Sequence, residues 1–441
     1  MGFEIIAQFV VLLAAIYLGS RTGGVGLGLW GGVGVFVLTY VFGLQPTSPP
    51  IDVMLIILAV VMASAVMEAA GGIEYLVGVA GRIIRRNPQH ITVVAPLVCY
   101  VFTFGAGTGH IFYPLLPIIF QVAYENGIRP ERPMAVSTIA SQQAITASPV
   151  SAATAAMISL FEPLNYSLPN ILVIAIPATI AGVLVAALVQ TRVGVPLDQD
   201  PEYQRRLKAG EIEAAVKTAA VEAVLPPSAR WSAFIFLGGV ALVVLSGLFP
   251  DLRPPFHHSD ADAMSMALTI EIVMLSVAAV MMLLMRVKPD AVVKTQTARA
   301  GLTAVIGIFG LAWLGDTFIA GNSDVIIGGI GELTREHPFI FALGLFFASV
   351  LLFSQAATTR ALMPLGISLG LSPAILTAFW PAVNGYFFLP TYGSLIAAIN
   401  FDRSGTTRIG RYILNHSFML PGLVATITAI AVGSIIAQFM R

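Results

Sequence analysis

Long apolar runs separated by short polar interruptions make up nearly the whole chain. Runs at 5–18, 23–42, 51–70, 171–189, 231–248, 264–285, 301–320 and 412–439 read as spans. Two other regions are cut in the middle. Stretches 91–104 and 111–124 flank Gly105-Ala106-Gly107-Thr108-Gly109-His110, while 339–352 and 361–371 flank the polar patch 353–360. Each arm falls short of the roughly 20 apolar residues a crossing needs, and pieces of about 10–14 suit re-entrant segments. Small residues at the first tip permit a sharp reversal and close backbone approach. The pattern predicts two hairpins, 91–124 and 339–371, that enter the membrane and leave on the side they came from.

Two further runs are broken by proline. In 133–161 the break is Ser148-Pro149, with Ser148 expected as N-cap and Pro149 opening a new half-helix. In 374–400 it is Pro390-Thr391-Tyr392-Gly393-Ser394. Gly71-Gly72 ends the run 51–70, and 73–84 has the two-faced pattern of a helix lying in the interface. A surface helix is expected within 198–223 and an interfacial segment over 324–337.

Composition sharpens this. The 441 residues are 57% hydrophobic and 10% charged, with mean hydropathy +0.87, so the charges are too few to clothe a soluble core. The fold class is an all-α polytopic membrane protein with the lipid bilayer as its surroundings. A net charge of zero argues against nucleic acid as a partner. One cysteine, Cys99, excludes an intrachain disulfide or a cysteine metal cluster, and His257-His258 lack ligand spacing. No metal site is expected.

With both hairpins counted as re-entrant, ten crossings remain and both termini lie outside. Nineteen of the 23 Lys/Arg then fall on cytoplasmic segments, leaving Arg253, Arg335 and Arg441 outside and Arg360 in the membrane. That is the asymmetry the positive-inside rule demands. The halves also rhyme: Glu68 and Asp316 are 248 residues apart, Pro114 and Pro364 250, Pro149 and Pro390 241. The expected plan is scaffold helices in 1–50, a first inverted repeat in 51–191 and a cytoplasmic linker in 192–230. Central scaffold helices in 231–299 and a second inverted repeat in 300–441 complete it.

Inverted repeats with broken helices place a substrate site near the midplane. The candidates there are Gly107, Thr108 and Gly109; Ser148, Pro149 and Ser151; Ser354, Gln355, Thr358, Thr359 and Arg360; and Pro390, Thr391 and Ser394. Half-helix N-termini offer unpaired N–H groups to an anion. Arg360 adds a fixed charge whose planar fork matches a carboxylate. This chemistry predicts a small dianion and an arginine that marks the site. Glu68, Asp316 and His110 are candidates for ion coupling by H+ or Na+, and the alternative reading is a cation–proton antiporter using Glu68 and Asp316. No nucleophile–base pair or hydrolase motif supports catalysis.

Four motifs carry a family resemblance: 105–110, 128–135 (Ile-Arg-Pro-Glu-Arg-Pro-Met-Ala), 354–364 and 401–410 (Phe-Asp-Arg-Ser-Gly-Thr-Thr-Arg-Ile-Gly). Through them the chain resembles, along its full length, the anaerobic C4-dicarboxylate transporter family (Dcu). Ser354 to Arg360 is similar to its DcuA-like branch, which carries a basic residue in this hairpin. The resemblance implies a bacterial inner-membrane carrier of fumarate, succinate, malate or aspartate, with periplasmic termini and no cofactor. It also implies the ion-transporter superfamily plan, with elevator-like movement of a transport domain against a scaffold; a homodimer is compatible with that plan. Gly393 departs from the family pattern, which has proline after Pro390-Thr391-Tyr392.

Overall fold

The computed structural model describes the chain apart from Met1, Gly23, 214–224, 255–263, 323–336, Phe353, 390–391, Arg411, Ile413 and Arg441. It leaves out, in addition, the side chains of Gly2, Phe3, Ser20, Asp52, Val53, His110, Pro250 and Leu351. The expectations for His257-His258, for the interfacial segment 324–337 and for the later part of the linker helix lie outside the described residues.

Among the described residues all regular structure is helical. Helices α1 (Gly2–Thr22), α2 (Gly26–Tyr40) and α3 (Ile51–Ala69) open the chain. Gly71 then takes a left-handed conformation (φ 86°), and α4 (Gly72–Arg86) leaves at 74° to α3. The Gly-Gly break therefore falls where the sequence placed it. Next come α5 (Ile91–Ala106), a 3-10 segment (Gly109–Leu115) and α6 (Leu116–Glu125). The broken helix is α7 (Glu131–Ile145) and α8 (Ala152–Phe161), followed by α9 (Leu168–Gln190), α10 (Pro201–Lys208), α11 (Pro227–Leu248), α12 (Met266–Met285) and α13 (Pro289–Val293). The second half holds α14 (Gln296–Gly321), the hairpin arms α15 (Phe339–Leu352) and α16 (Gln355–Ser368), and α17 (Pro373–Phe379). A 3-10 segment (Trp380–Phe387), α18 (Gly393–Phe401) and α19 (Met419–Gln438) end it.

Among the described residues six helices are long and apolar enough to cross a membrane, and α3 with α4 is a bent pair that passes the same test together. One of the six runs from Pro88 to Ala106, 19 residues, so the first arm is longer than the sequence suggested. The reason is the 3-10 turn Pro88–His90, which feeds directly into α5. α6 packs on α4: a Cβ on Gly81 of α4 would lie 3.2 Å from Ile118 Cδ1. The helix that leads into the first arm thus also touches the helix that leaves it.

Three further boundaries differ from expectation. Ser151, not Ser148, caps the second half-helix; its Oγ accepts the Thr154 N–H at 3.1 Å. Ser148 is instead held inside the turn, donating to the Phe104 carbonyl at 2.7 Å. The last helix starts at Met419 rather than 412, because side chains hold the residues before it in turns: Asn415 Oδ1 accepts the Tyr412 N–H (2.9 Å), and Ser417 Oγ accepts the Arg408 N–H (3.0 Å) and donates to Glu131 (2.6 Å). Earlier in the same segment the Asp402 carboxylate accepts N–H from Ser404 (2.9 Å) and Thr407 (2.6 Å) and the Thr406 hydroxyl (2.8 Å). Of the linker helix expected within 198–223, only α10 and the turn Leu197–Gln199 are helical among the described residues.

Packing fixes the elements that frame the site. α2 crosses α14 backbone to backbone: a Cβ on Gly310 would sit 1.7 Å from the Gly28 carbonyl oxygen, and one on Gly31 2.4 Å from the Gly310 carbonyl carbon. α3 and α14 run antiparallel. Glu68, in the last turn of α3, accepts N–H from Gln296 and Thr297 at the start of α14, both at 3.0 Å. At the other end, the Thr47 N–H ahead of α3 donates to Thr317 Oγ1 of α14 at 3.3 Å.

One charged cluster ties the linker to the helical body. Buried Arg129 donates to Glu131 (2.6 Å) and Asp200 (2.5 Å), and Glu131 accepts from Ser417 (2.6 Å). Arg206 reaches the Arg403 carbonyl at 3.1 Å, so segments 129–132, 200–206 and 403–417 meet at one end of the molecule. Burial opposes the charge on Asp200, but N–H groups of Tyr203 and Glu202 and the Arg129 guanidinium hold its carboxyl below the ordinary 3.8. A depressed carboxyl stabilises the fold above its ordinary value and stops doing so as pH falls through the lowered one. Linker docking is therefore expected to be constant from about pH 5 to 8. Asp200→Asn keeps a good helix cap while removing the charge. We expect it to speed tryptic cleavage after Arg205 about tenfold at pH 7, a loss of roughly 1.4 kcal/mol; an unchanged cleavage rate would show the pair is dispensable.

Candidate functional site

The first hairpin tip packs on the first helix break. Gly107 is left-handed (φ 68°), and a Cβ there would sit 2.7 Å from the Val150 carbonyl oxygen, so only glycine fits. The second hairpin meets the second broken helix in the same manner: Trp380 Nε1 donates to Thr359 Oγ1 at 2.8 Å, and Ser349 Oγ to the Ala382 carbonyl at 3.3 Å. Pro381 lacks an N–H and stands where α17 gives way to 3-10 geometry.

These tips and breaks border one cavity of about 180 Å³. Gly107, Thr108 and Gly109 line it from the first hairpin, Val150 to Ala153 from the first break, Ser354 to Ala356 from the second hairpin, and Tyr392 from the second break. The opposite wall is α3 (Ile57, Val60, Val61, Ser64) and the first turns of α14 (Thr297, Ala300, Gly301, Ala304). Gly301 lets α14 pack closely on α3 in that wall, since a Cβ there would overlap Val61 at 2.2 Å.

Among the helices that begin at the cavity, two are capped there by a serine hydroxyl. α8 is capped by Ser151, and α16 by Ser354, whose Oγ accepts the Ala357 N–H at 3.2 Å. Each cap satisfies the third N–H of its helix. The first two, on Ala152 and Ala153 and on Gln355 and Ala356, have no acceptor within their helices. Both ends carry the positive end of a helix dipole. Thr297 adds a hydroxyl 97% buried (3% exposed) that, among the described residues, has no hydrogen-bond partner.

Behind the cavity lies an amide network that the sequence reading missed. Gln355 Nε2 donates to Tyr386 Oη (2.7 Å) and approaches Gln142 Oε1 and Asn384 Oδ1 (3.2 Å each). The Tyr386 hydroxyl donates to Gln142 Oε1, and Gln142 Nε2 donates to Ser394 Oγ at 3.2 Å. Asn384 Nδ2 donates to Gln143 Oε1 at 3.3 Å. A signal was present: Gln143 and Asn384 are 241 residues apart, the same spacing as Pro149 and Pro390. Intramembrane amides are costly and so mark function or fixed register.

The remaining candidates are dispersed. Ser148 and Pro149 are buried in the turn behind Ser151. Thr358 and Thr359 bond to their own helix, at the Ser354 (2.8 Å) and Gln355 (2.7 Å) carbonyls. Pro390, Thr391 and the His110 side chain lie outside the described residues. Arg360, expected at the centre, does not line the cavity. Its Nη2 pairs with Asp316 at 3.0 Å, the two side chains only 15% and 14% exposed. Glu68 is occupied in capping α14, so neither acid faces the cavity.

Interrupted helices converging on a polar cavity within an apolar helical body define a membrane transport protein. The chain matches the family described as anaerobic C4-dicarboxylate membrane transporter over residues 4–441, and it belongs to that family. It is 40% identical to the anaerobic C4-dicarboxylate transporter DcuB of Escherichia coli O6:H1, covering 98% of each chain. It is 41% identical to the C4-dicarboxylate transporter DcuA of Wolinella succinogenes (99% of this chain, 100% of that one) and 40% identical to DcuA of Escherichia coli K12 over the same shares. In fold it is similar to the crystal structure of the Alcanivorax borkumensis YdaH transporter, with a TM-score of 0.59, 15% identity, and 94% and 97% of the two chains covered.

Proposed function

We propose that the protein is a secondary carrier that moves C4-dicarboxylates such as fumarate, succinate, malate and aspartate across the bacterial inner membrane by exchange or ion-coupled uptake. The observation that carries this reading is the pair of capped helix N-termini, from the two halves of the chain, opening on one cavity. One carboxylate of the substrate docks on the N–H groups of Ala152 and Ala153, the other on those of Gln355 and Ala356. Ser151, Ser354, Thr108 and Thr297 supply hydroxyls around them. Each helix end presents about half a positive charge and two N–H groups without an intrahelical acceptor, so each of two carboxylates has an end to dock on and a monocarboxylate leaves one end unfilled.

The inverted-repeat plan with ten crossings is supported by the antiparallel neighbours α3 and α14, and by Gln143 bonding to Asn384 at the repeat spacing. An elevator-like motion is favoured because the cavity has two dissimilar walls. One is made of tips and breaks; the other is a continuous helical face of mostly small and aliphatic residues on α3 and α14, with the hydroxyls of Ser64 and Thr297. The cation–proton antiporter reading has less behind it, since Glu68 and Asp316 are each engaged by fixed partners outside the cavity. Arg360 on this reading positions α16 against α14.

Counterflow in proteoliposomes tests the proposal. Labelled succinate is expected to accumulate against internal fumarate, malate or aspartate, and not against butyrate, which lacks the second carboxylate. Equal exchange with butyrate would reject the two-ended site.

A further inference from the structure

The two serine-capped helix ends are tied to each other behind the cavity. Gln355 is the first residue of α16, and its backbone N–H has no acceptor within that helix. Its side chain runs into the amide network instead. Nε2 donates to Tyr386 Oη at 2.7 Å and lies 3.2 Å from both Gln142 Oε1 and Asn384 Oδ1, so its two hydrogens are taken up there rather than by a solute.

The same network reaches the other helix end. Tyr386 donates its hydroxyl to Gln142 Oε1. Gln142 stands in the last turn of α7, where the Ile145 carbonyl accepts Ser151 Oγ at 2.7 Å, and Ser151 caps α8. Asn384 Nδ2 lies 3.3 Å from Thr146 Oγ1, at the end of that turn. From the start of α16 to the start of α8 the connection is therefore two amide side chains and a few residues of backbone. Gln142, Gln355, Asn384 and Tyr386 are each at most 6% exposed. Satisfied polar networks in a low-dielectric interior stiffen what they connect, and a close-packed interior transmits displacement rather than absorbing it. Tyr392 braces the hub: its ring centroid lies 4.3 Å from that of Tyr386, and it lines the cavity.

Diacids of a series differ in the gap between their carboxylates. Helix ends free to part would accept a longer member; helix ends held by buried hydrogen bonds would not. Resting on the carrier reading above, we infer that Gln142, Gln355 and Tyr386 fix the separation of the two carboxylate docks and so select diacids by chain length. Their side chains touch no substrate. They are positioning residues that act through α8 and α16.

Competition against labelled succinate, in counterflow with the full-length protein in proteoliposomes, gives the ratio of apparent affinities for succinate and for glutarate, one methylene longer. The unsubstituted chain is expected to prefer succinate about tenfold or more, the usual worth of one methylene in a shaped site. Tyr386→Phe keeps the ring and deletes the hydroxyl through which two bonds of the tie pass, and should cut that ratio about tenfold. Gln355→Met frees α16 from the network while keeping its backbone N–H, and should cut the ratio to a similar extent; it is the independent variant if the first does not fold. A network that merely supports the fold would lower both affinities by one factor, so an unchanged ratio in a folded variant would overturn the inference. Equal affinities for the two acids in the unsubstituted chain would overturn it as well. An unsubstituted chain that exchanges no succinate at all would instead reject the carrier reading, and the inference with it.

Discussion

Arg360→Leu is expected to destabilise the protein by about 3–5 kcal/mol, and Arg360→Leu/Asp316→Leu to recover most of that loss. Removing one member of a buried ion pair strands the other in a low-dielectric surrounding, whereas replacing both by apolar groups is often neutral. The 3.0 Å pair is mostly buried, its side chains 15% and 14% exposed, and among the described residues Arg360 Nε has no hydrogen-bond partner. Thermal unfolding in detergent checks the stability cycle, and succinate counterflow checks function. The double variant is expected to transport. If it folds normally but no longer exchanges succinate, Arg360 returns to the role of substrate ligand.

Ala152→Pro is expected to lower succinate affinity about 10–150-fold while leaving the fold in place. Proline suits the first position of a helix, where its missing N–H costs no intrahelical bond. It also requires an extended preceding residue, and Ser151 already has φ −80° and ψ 154°. The substitution thus deletes one donor aimed into the cavity and little else. A hydrogen bond to a charged group contributes about 1.5–3 kcal/mol, which sets the expected range. Isothermal titration of the purified protein is the check, and an affinity within twofold of the unsubstituted chain would remove α8 from the substrate site.

The sequence revealed the elements because each is written locally. Gly71-Gly72, Gly107 and Pro149 act on their own backbone, and the apolar runs are set by the lipid. The arrangement of polar groups was less legible. Arg360 looked like a substrate ligand because its counter-ion lies 44 residues away, in a helix where Asp316 read as a separate carrier. Ser148 and Ser151 both carry the hydroxyl a cap needs; only the tight turn, with Thr154 bonded back to the Ser148 carbonyl, decides between them. Gln142, Gln143, Asn384 and Tyr386 were passed over because they precede the breaks marked by Ser148-Pro149 and Pro390, and the partners that make them a network come from opposite halves of the chain. The start of the final helix was missed for a similar reason, since Ser417 just before it is bonded to Glu131, 286 residues away in the chain.

The glycine seam between α2 and α14 has a mechanical consequence. Where two backbones touch with no side chain between them, there is no compliant layer to shear, and sliding by even one residue would drive carbonyl into carbonyl. α14 is therefore pinned like a rail, and α3, bonded to it at both ends, is pinned with it. On the carrier reading proposed above, the travel that carries a solute from one side to the other would fall to the tips that face this rail.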